Sequence, residues 1–189
     1  MIIGIAGPSA SGKTTVARFL EKERGALRIR YSSILAEMAR ERGLDINDKA
    51  VLQKMFVDER EKRGESFLSD ELINRVALLH PRYLVIEGNR RLVDYEGLKK
   101  LSKVRKEPFI FIFIDASPET RFKRYNAHPA EHGYKPVSRK EFDELEKNPA
   151  EDEISLLSDI AKKDGVYLST DDNNEDSVMK AVYEAIDKN

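Results

Sequence analysis

The 189-residue chain has no cysteine, which removes disulfides, thiolate metal sites and cysteine nucleophiles together and suits a reducing compartment. It also lacks a surplus of either charge: 33 basic residues face 34 acidic ones, for a net charge of −1. That balance leaves no global electrostatic footprint for nucleic acid, and no nucleic-acid partner is expected. No apolar run approaches the roughly 18 residues that cross a bilayer, so no membrane partner is expected either. Strand-like sequence begins at Ile2 with no basic lead, adequate apolar segment or cleavage site, so the chain is expected to lack a signal peptide and to be cytoplasmic. No internal repeat, low-complexity tract or long Gly/Ser/Pro linker divides it, and a single domain is the default at this length. His80, His128 and His132 make no set with metal-ligand spacing. Charged residues make up 35% of the chain, which is compatible with surface ion-pair networks.

What is present is an alternation of apolar runs with helix-period segments. Residues 2–6 predict a first strand. Residues 13–24 predict a helix with Val16, Phe19 and Leu20 on one face, ending near Gly25. Residues 26–31 predict a short second strand, followed by three helices over 33–42, 48–63 and 67–79 whose apolar residues recur at helical spacing. Residues 83–87 and 109–115 are unbroken apolar runs ending in an acid, as expected for strands buried on both faces of a parallel sheet. Residues 165–169 predict a fifth strand. Ser117-Pro118-Glu119 and the capping box Ser138-Arg139-Lys140-Glu141 start helices, and a last helix is expected over 175–187. The pattern predicts an α/β fold, a three-layer sandwich around a five-stranded parallel sheet with right-handed crossovers.

The most specific motif is Gly7-Pro8-Ser9-Ala10-Ser11-Gly12-Lys13-Thr14, a G-x-x-x-x-G-K-[ST] phosphate-binding loop lying between the first strand and the first helix. In that order the loop N–H groups and the positive end of the helix dipole converge on one point, where a triphosphate would sit. Gly7, Ser9, Ala10, Ser11, Gly12, Lys13, Thr14 and Thr15 are the expected nucleotide-binding residues. Lys13 would reach the β- and γ-phosphates, and Thr14 would place its hydroxyl on Mg2+.

Ligands of such sheets bind beyond the carboxyl ends of the strands. After the third strand comes Glu87-Gly88-Asn89-Arg90-Arg91. Glu87 could hold Mg2+ through water, and Arg90 or Arg91 could bind an acceptor phosphate bidentately. After the fourth strand comes Asp115, then Arg121 and Arg124, one turn apart and able to share a face on which a phosphoryl group in transit is neutralised. The Gly- and Pro-containing basic stretch that follows has the composition of a lid that would exclude water. Asp94-Tyr95-Glu96-Gly97 fits the D-x-x-G pattern of switch NTPases, yet it follows a strand instead of ending one, and no Asn-Lys-x-Asp partner exists.

In order of parts the chain resembles the P-loop nucleotide kinases: adenylate kinase-like and deoxynucleoside monophosphate kinases and the dephospho-coenzyme A kinase-like proteins. Glu87-Gly88-Asn89-Arg90-Arg91 takes the place of the adenylate kinase Asp-Gly-Phe-Pro-Arg, with Arg91 in register; other relatives place the arginine at Arg90. The resemblance implies a core over 1–31, 80–120 and 149–189, an acceptor-binding helical insert over 32–79 and a lid over 121–148. It implies ATP and Mg2+ as cofactors and a small nucleotide acceptor, in a monomer or homodimer. Lys13, Glu87, Arg121 and Arg124 would be catalytic. An insert arginine would bind acceptor phosphate, with Arg40 and Arg42 as local candidates. The segment 168–173 sits where relatives contact the donor adenine. The chain lacks the Gly-Gly pair and the strand-two Asp of dephospho-coenzyme A kinases, and the Thr-Gly-Asp of adenylate kinases. The expected reaction is transfer of the ATP γ-phosphoryl group to a nucleoside or deoxynucleoside monophosphate. A hydroxyl acceptor, as in dephospho-coenzyme A or a nucleoside, is the alternative, with Glu87 or Asp115 as base. A switch NTPase or a nucleotide sensor is the alternative of another class.

Overall fold

The computed structural model describes residues 1–127, 136–147, 153–172 and 174–188. His128, His132, positions 128–135 and 148 of the expected lid, and position 173 of the segment 168–173 lie outside the described residues. The chain runs β1 (Ile2–Ala6), α1 (Lys13–Arg24), β2 (Leu27–Arg30), α2 (Tyr31–Glu41), α3 (Lys49–Arg63), α4 (Phe67–Val76), β3 (Leu84–Asn89), α5 (Leu92–Arg105), β4 (Phe109–Asp115), α6 (Pro118–Ala127), α7 (Arg139–Leu145), α8 (Ile154–Asp164), β5 (Val166–Ser169) and α9 (Glu175–Asp187). The five strands form one parallel sheet in the order β2-β3-β1-β4-β5. The α/β sandwich and its five-stranded parallel sheet are therefore as expected from the sequence.

Strand alternation sorts the apolar side chains between two helical layers. Ile3, Ile5, Val85, Ile110, Ile112 and Ile114 face Val16, Ala17 and Leu20 of α1 and Val178, Met179, Val182 and Ile186 of α9. On the opposite face Ile2, Leu84 and Ile86 pack with Tyr31, Ile34, Met38, Phe67, Leu72 and Leu98 from the helices between β2 and β4. Phe111 and Phe113 pack with Tyr95, Leu157 and Ala161 beside them. Each such fully buried side chain contributes roughly 1.5–3 kcal/mol, which outweighs the modest helix propensities.

The helical boundaries differ from expectation in instructive places. α2 begins at Tyr31, directly on β2, with Arg30 still extended (φ −116°, ψ 139°) as its N-cap. α4 ends at Val76 although apolar spacing continues to Leu79; Leu78 is 89% exposed, and the Leu79 N–H closes a turn on the Val76 carbonyl at 2.9 Å. Pro81 follows and disfavours helix in the residue before it. β3 runs on to Asn89 through a register shift opposite Ala6. α5 and α8 were not individually anticipated. The capping box at Ser138 forms as expected, with Glu141 N donating to the Ser138 hydroxyl and Ser138 N to the Glu141 carboxylate.

Ion pairs tie α2, α3 and α4 together. Arg75 bonds Glu37 at 2.8 Å, Glu41 at 3.1 Å and Glu71 at 3.1 Å, while Arg63 bridges Glu59 at 3.4 Å and Glu71 at 3.2 Å. Networks of this kind contribute more than isolated surface pairs. Among the described residues no helix is long and apolar enough to cross a membrane.

Gly165 lets α8 turn tightly into β5. A Cβ there would lie 2.6 Å from the Phe111 carbonyl oxygen and 3.1 Å from Ala161 Cα, both backbone atoms that cannot rotate away. Gly165→Ala is expected to lower unfolding stability by roughly 1–3 kcal/mol, measured by urea denaturation. An unchanged midpoint would mean that the β4–α8 spacing is not tight.

Candidate active site

The phosphate-binding loop rises from β1 and folds over the end of β4. Gly7 has φ +141°, and a Cβ at that position would sit 2.0 Å from the Ile114 carbonyl oxygen, so only glycine fits. Ala10 holds φ +58° without being glycine, a strain typical of ligand-clasping turns. Gly12, also left-handed, precedes α1, and no side chain caps that helix. The first-turn N–H groups are thus left for an anion, at the positive end of the helix dipole. Lys13 Nζ lies back over the loop and donates to the Pro8 carbonyl. The Ser11 hydroxyl is buried and finds no partner among the described residues.

Beside the loop, Glu87 ends the apolar part of β3 with its side chain only 4% exposed. Its Oε1 accepts from the Thr14 hydroxyl at 2.5 Å, and its Oε2 accepts from Arg28 at 2.9 Å. Arg30 Nε stands 3.5 Å from Oε1. The sheet register explains this cluster: Arg30 pairs with Glu87 and Arg28 with Val85, so alternation puts Glu87 and both arginines on the face that carries α1. Arg28 also bonds Glu21 of α1 at 3.0 Å. Burial alone would lower the Arg28 pKa, but its hydrogen bonds to Glu87 and Glu21 leave it raised.

Beyond β4 and β5 a second set of contacts closes around the loop. Arg124 donates to the Thr170 hydroxyl at 2.8 Å and to the Thr170 carbonyl, and the Thr170 hydroxyl donates to the Ser11 carbonyl at 2.9 Å. Asp115 accepts from Ala116 N at 2.8 Å and from the Tyr167 hydroxyl at 2.6 Å. The bond to Asp115, with burial, pushes the Tyr167 hydroxyl up to about 12. A cavity of about 570 Å³ runs along this surface, lined by Lys13, Thr14, Arg30, Arg124, Thr170 and Asn174, with Val178 and Met179 as apolar wall.

The remaining expected residues are distributed unevenly. Arg121 is buried, donates to the Ala116 carbonyl at 2.9 Å and pairs with Glu146; it lines a smaller cavity of about 350 Å³ with Pro8 and Asp115. Arg121 and Arg124 thus line different cavities instead of sharing one face. Arg91 caps α5 and pairs with Glu65 and Glu153. The N–H groups of Arg90 and Arg91 both donate to Asp94, at 3.0 and 3.1 Å. Arg42 is engaged by Glu59 at 2.9 Å, and Arg40 is exposed on α2, away from the cavity lining. Asp94 therefore serves the start of α5, and Gly97 lies inside that helix, where a Cβ would meet the Ser69 hydroxyl at 2.3 Å. This local role accounts for both fixed positions of the D-x-x-G match.

A family profile described as AAA domain, AAA_18, matches residues 3–148. The chain belongs to the AAA_18 family. Among curated relatives of this AAA_18 protein, the UPF0200 protein PAE1629 of Pyrobaculum aerophilum is 29% identical over 123 residues, 65% of this chain and 63% of that one. The alignment thus spans less than two thirds of that relative's length. A cytidylate kinase of Bacillus licheniformis is 23% identical over an alignment that takes in all of this chain and 96% of that one. Among solved structures, TT1252 from Thermus thermophilus superposes with a TM-score of 0.59 at 18% identity, covering 98% of this chain and 95% of that one. A proposed kinase from Chloroflexus aurantiacus gives 0.57 at 16%, covering 97% of each chain. The resemblance to P-loop nucleotide kinases is borne out in family and in fold.

Three polar residues of this AAA_18 site escaped the sequence reading. Arg28 and Arg30 were legible in principle, because Leu27-Arg28-Ile29-Arg30 alternates with period two in a short strand. Asn89 was not: its amide bridges the Ile5 and Ile86 carbonyls at 3.0 and 2.8 Å across the β1–β3 register shift, and only tertiary structure puts it there. Burial raises Asp94 to about 6, partly offset by the Arg90 and Arg91 N–H groups. Its folded pKa thus exceeds the unfolded value, so its contribution is fully present below about pH 4 and is lost as pH rises through about 6. Asp94→Asn is expected to flatten the fall in stability between pH 4 and 6 seen in denaturation midpoints; an identical pH profile would show that Asp94 is not the group responsible.

Proposed function

We propose that the protein is an ATP-dependent phosphotransferase that moves the γ-phosphoryl group to a small nucleotide acceptor, a nucleoside or deoxynucleoside monophosphate. The observation that carries the reading is the Thr14–Glu87 contact. It sets the loop threonine and a strand-end carboxylate together beside Lys13. These are hard oxygen donors of the kind Mg2+ shares with nucleotide phosphates, and two protein groups suffice because phosphates and water complete its shell. Mg2+ held by Thr14 and Glu87 would neutralise charge on the β- and γ-phosphates. Loop N–H groups and Lys13 would hold the donor in line, and Arg124, anchored on Thr170, would steady it from the β5 side. The full-length relative named cytidylate kinase supports a monophosphate acceptor.

A phosphate acceptor is favoured over a hydroxyl by the state of the two candidate bases. Both Asp115 oxygens accept local hydrogen bonds, from Ala116 N and Tyr167, and both Glu87 oxygens are engaged by Thr14 and Arg28. These hydrogen bonds stabilise both carboxylates in their charged form, which disfavours their taking a hydroxyl proton, whereas a phosphate oxygen is already ionised at neutral pH and needs no base. The division into core, insert and lid, a catalytic role for Arg121, and a cytoplasmic location belong to the same proposal.

The test is ADP release with Mg·ATP, alone and with nucleoside monophosphates, deoxynucleoside monophosphates, nucleosides and dephospho-coenzyme A. Release that depends on a monophosphate is expected. Acceptor-independent release would point to an NTPase, and ATP binding without release to a sensor. Lys13→Ala is expected to cut turnover by at least a hundredfold with an unchanged circular dichroism melt; normal turnover in that variant would sink the assignment. Glu87→Gln should raise the Mg2+ concentration needed for half-maximal activity.

A further inference from the structure

A phosphate acceptor must approach the γ-phosphate against the repulsion of two anions. The site therefore needs a cation that faces the same cavity as Lys13 and Thr14 and is not already neutralised by a fixed acid. Most of the arginines considered above fail one of these conditions. Arg42 is spent on Glu59 at 2.9 Å, and Arg91 is shared between Glu65 and Glu153. Arg28 is 18% exposed and sandwiched between Glu87 and Glu21, at 2.9 and 3.0 Å. Arg40 and Arg90 do not line the cavity; Arg124 does, but its guanidinium is fixed on Thr170 at 2.8 Å, and Arg18 does from an exposed position on α1, one turn past Thr14 and without a contact to the Thr14–Glu87 pair.

Arg30 meets both conditions. Its side chain is 48% exposed and lines the cavity with Lys13 and Thr14. Among the described residues its one counter-ion is distant and shared: Glu87 Oε1 stands 3.5 Å away and already accepts from Thr14 at 2.5 Å, while Oε2 serves Arg28. Glu21 and Glu87 both hold Arg28 closely, at 3.0 and 2.9 Å, whereas Arg30 has only the longer, shared contact to Glu87 and is the more readily released of the two. Arg30 is also the last residue of β2, extended and directly followed by α2, which gives its side chain a rigid base. A guanidinium on such a base suits two parallel hydrogen bonds to a phosphate.

We propose that Arg30 is the acceptor-phosphate residue of this site, released from Glu87 to bind the 5′-phosphate of the incoming nucleotide. The proposal rests on the phosphotransferase reading and narrows its substrates to acceptors that already carry a phosphate. It also makes Arg28 the fixed partner of Glu87 and Arg30 the exchangeable one.

The test measures binding separately from turnover. The protein is saturated with Mg·AMP-PNP and titrated calorimetrically with AMP, CMP, GMP, UMP, dTMP and inorganic phosphate, as wild type, Arg30→Ala and Arg30→Lys. For whichever monophosphate binds the wild type, Arg30→Ala is expected to weaken affinity at least tenfold, and Arg30→Lys to recover part of it. AMP-PNP affinity, with and without Mg2+, should stay within twofold. Equal monophosphate affinity in Arg30→Ala and wild type overturns the proposal. So does an Arg30→Ala defect confined to Mg2+-dependent AMP-PNP affinity, which would make the residue a support for Glu87. If AMP-PNP binds but no phosphate-bearing probe does, Arg30 is not an acceptor-phosphate residue, although hydroxyl transfer survives. If AMP-PNP itself does not bind, the phosphotransferase reading falls.

Discussion

A carboxylate taken out of water costs several kcal/mol unless it is paired and hydrogen-bonded, and the site is organised around one such group. Glu87 is held by the Thr14 hydroxyl from α1 and by Arg28 from β2, with Arg30 alongside. Those partners come from two separate elements, so satisfying Glu87 of β3 fixes the start of α1 against the ends of β2 and β3. The phosphate loop between β1 and α1 inherits that placement. Arg124, Thr170 and Ser11 secure the loop from the other side, and Gly7 allows its close pass over the Ile114 carbonyl.

The same charges bear on function. Glu21 and Glu87 balance Arg28 and Arg30 in charge, with Arg30 the more loosely held of the two arginines. For the proposed reaction, fixed dipoles and cations on rigid strand ends would need little reorganisation on binding phosphates, the usual source of catalytic electrostatics. The acids elsewhere are quieter. Asp115 is tied to Ala116 and Tyr167, and Asp94 is buried against the start of α5.

The helices between β2 and β3 obey a different logic. Their apolar faces pack on Ile2, Leu84 and Ile86, while Arg63 and Arg75 tie the buried Glu59 and the partly exposed Glu71 into a network between them. Arg91 links this region, through Glu65, to Glu153 beside α8. An arginine that joins two acids from different parts of the chain is a structural strut in this conformation, although its sequence position next to β3 reads as a phosphate ligand. Local sequence could not distinguish those roles, because Glu65 and Glu153 lie far from Arg91 along the chain.

Much of the architecture was determined by the sequence alone. Three apolar runs, β1, β3 and β4, alternating with helix-period segments call for a parallel sheet between helical layers, because strands buried on both faces cannot be left uncovered, while β2 and β5 are short, half-exposed edge strands. The Gly7–Thr14 spacing locates the loop, because its glycines satisfy a local backbone requirement. Proline and exposure, not apolar spacing, ended α4 at Val76. Only the tertiary structure decided which polar side chains serve the site. The β2–β3 register set Arg28 and Arg30 beside Glu87, and the shift at Asn89 brought its amide under β1. Packing drew Arg121 toward Glu146 while Arg124 went to Thr170. Backbone periodicity is written in neighbouring residues, but the pairing of charges depends on distances between elements remote in sequence, and those distances exist only once the chain has folded.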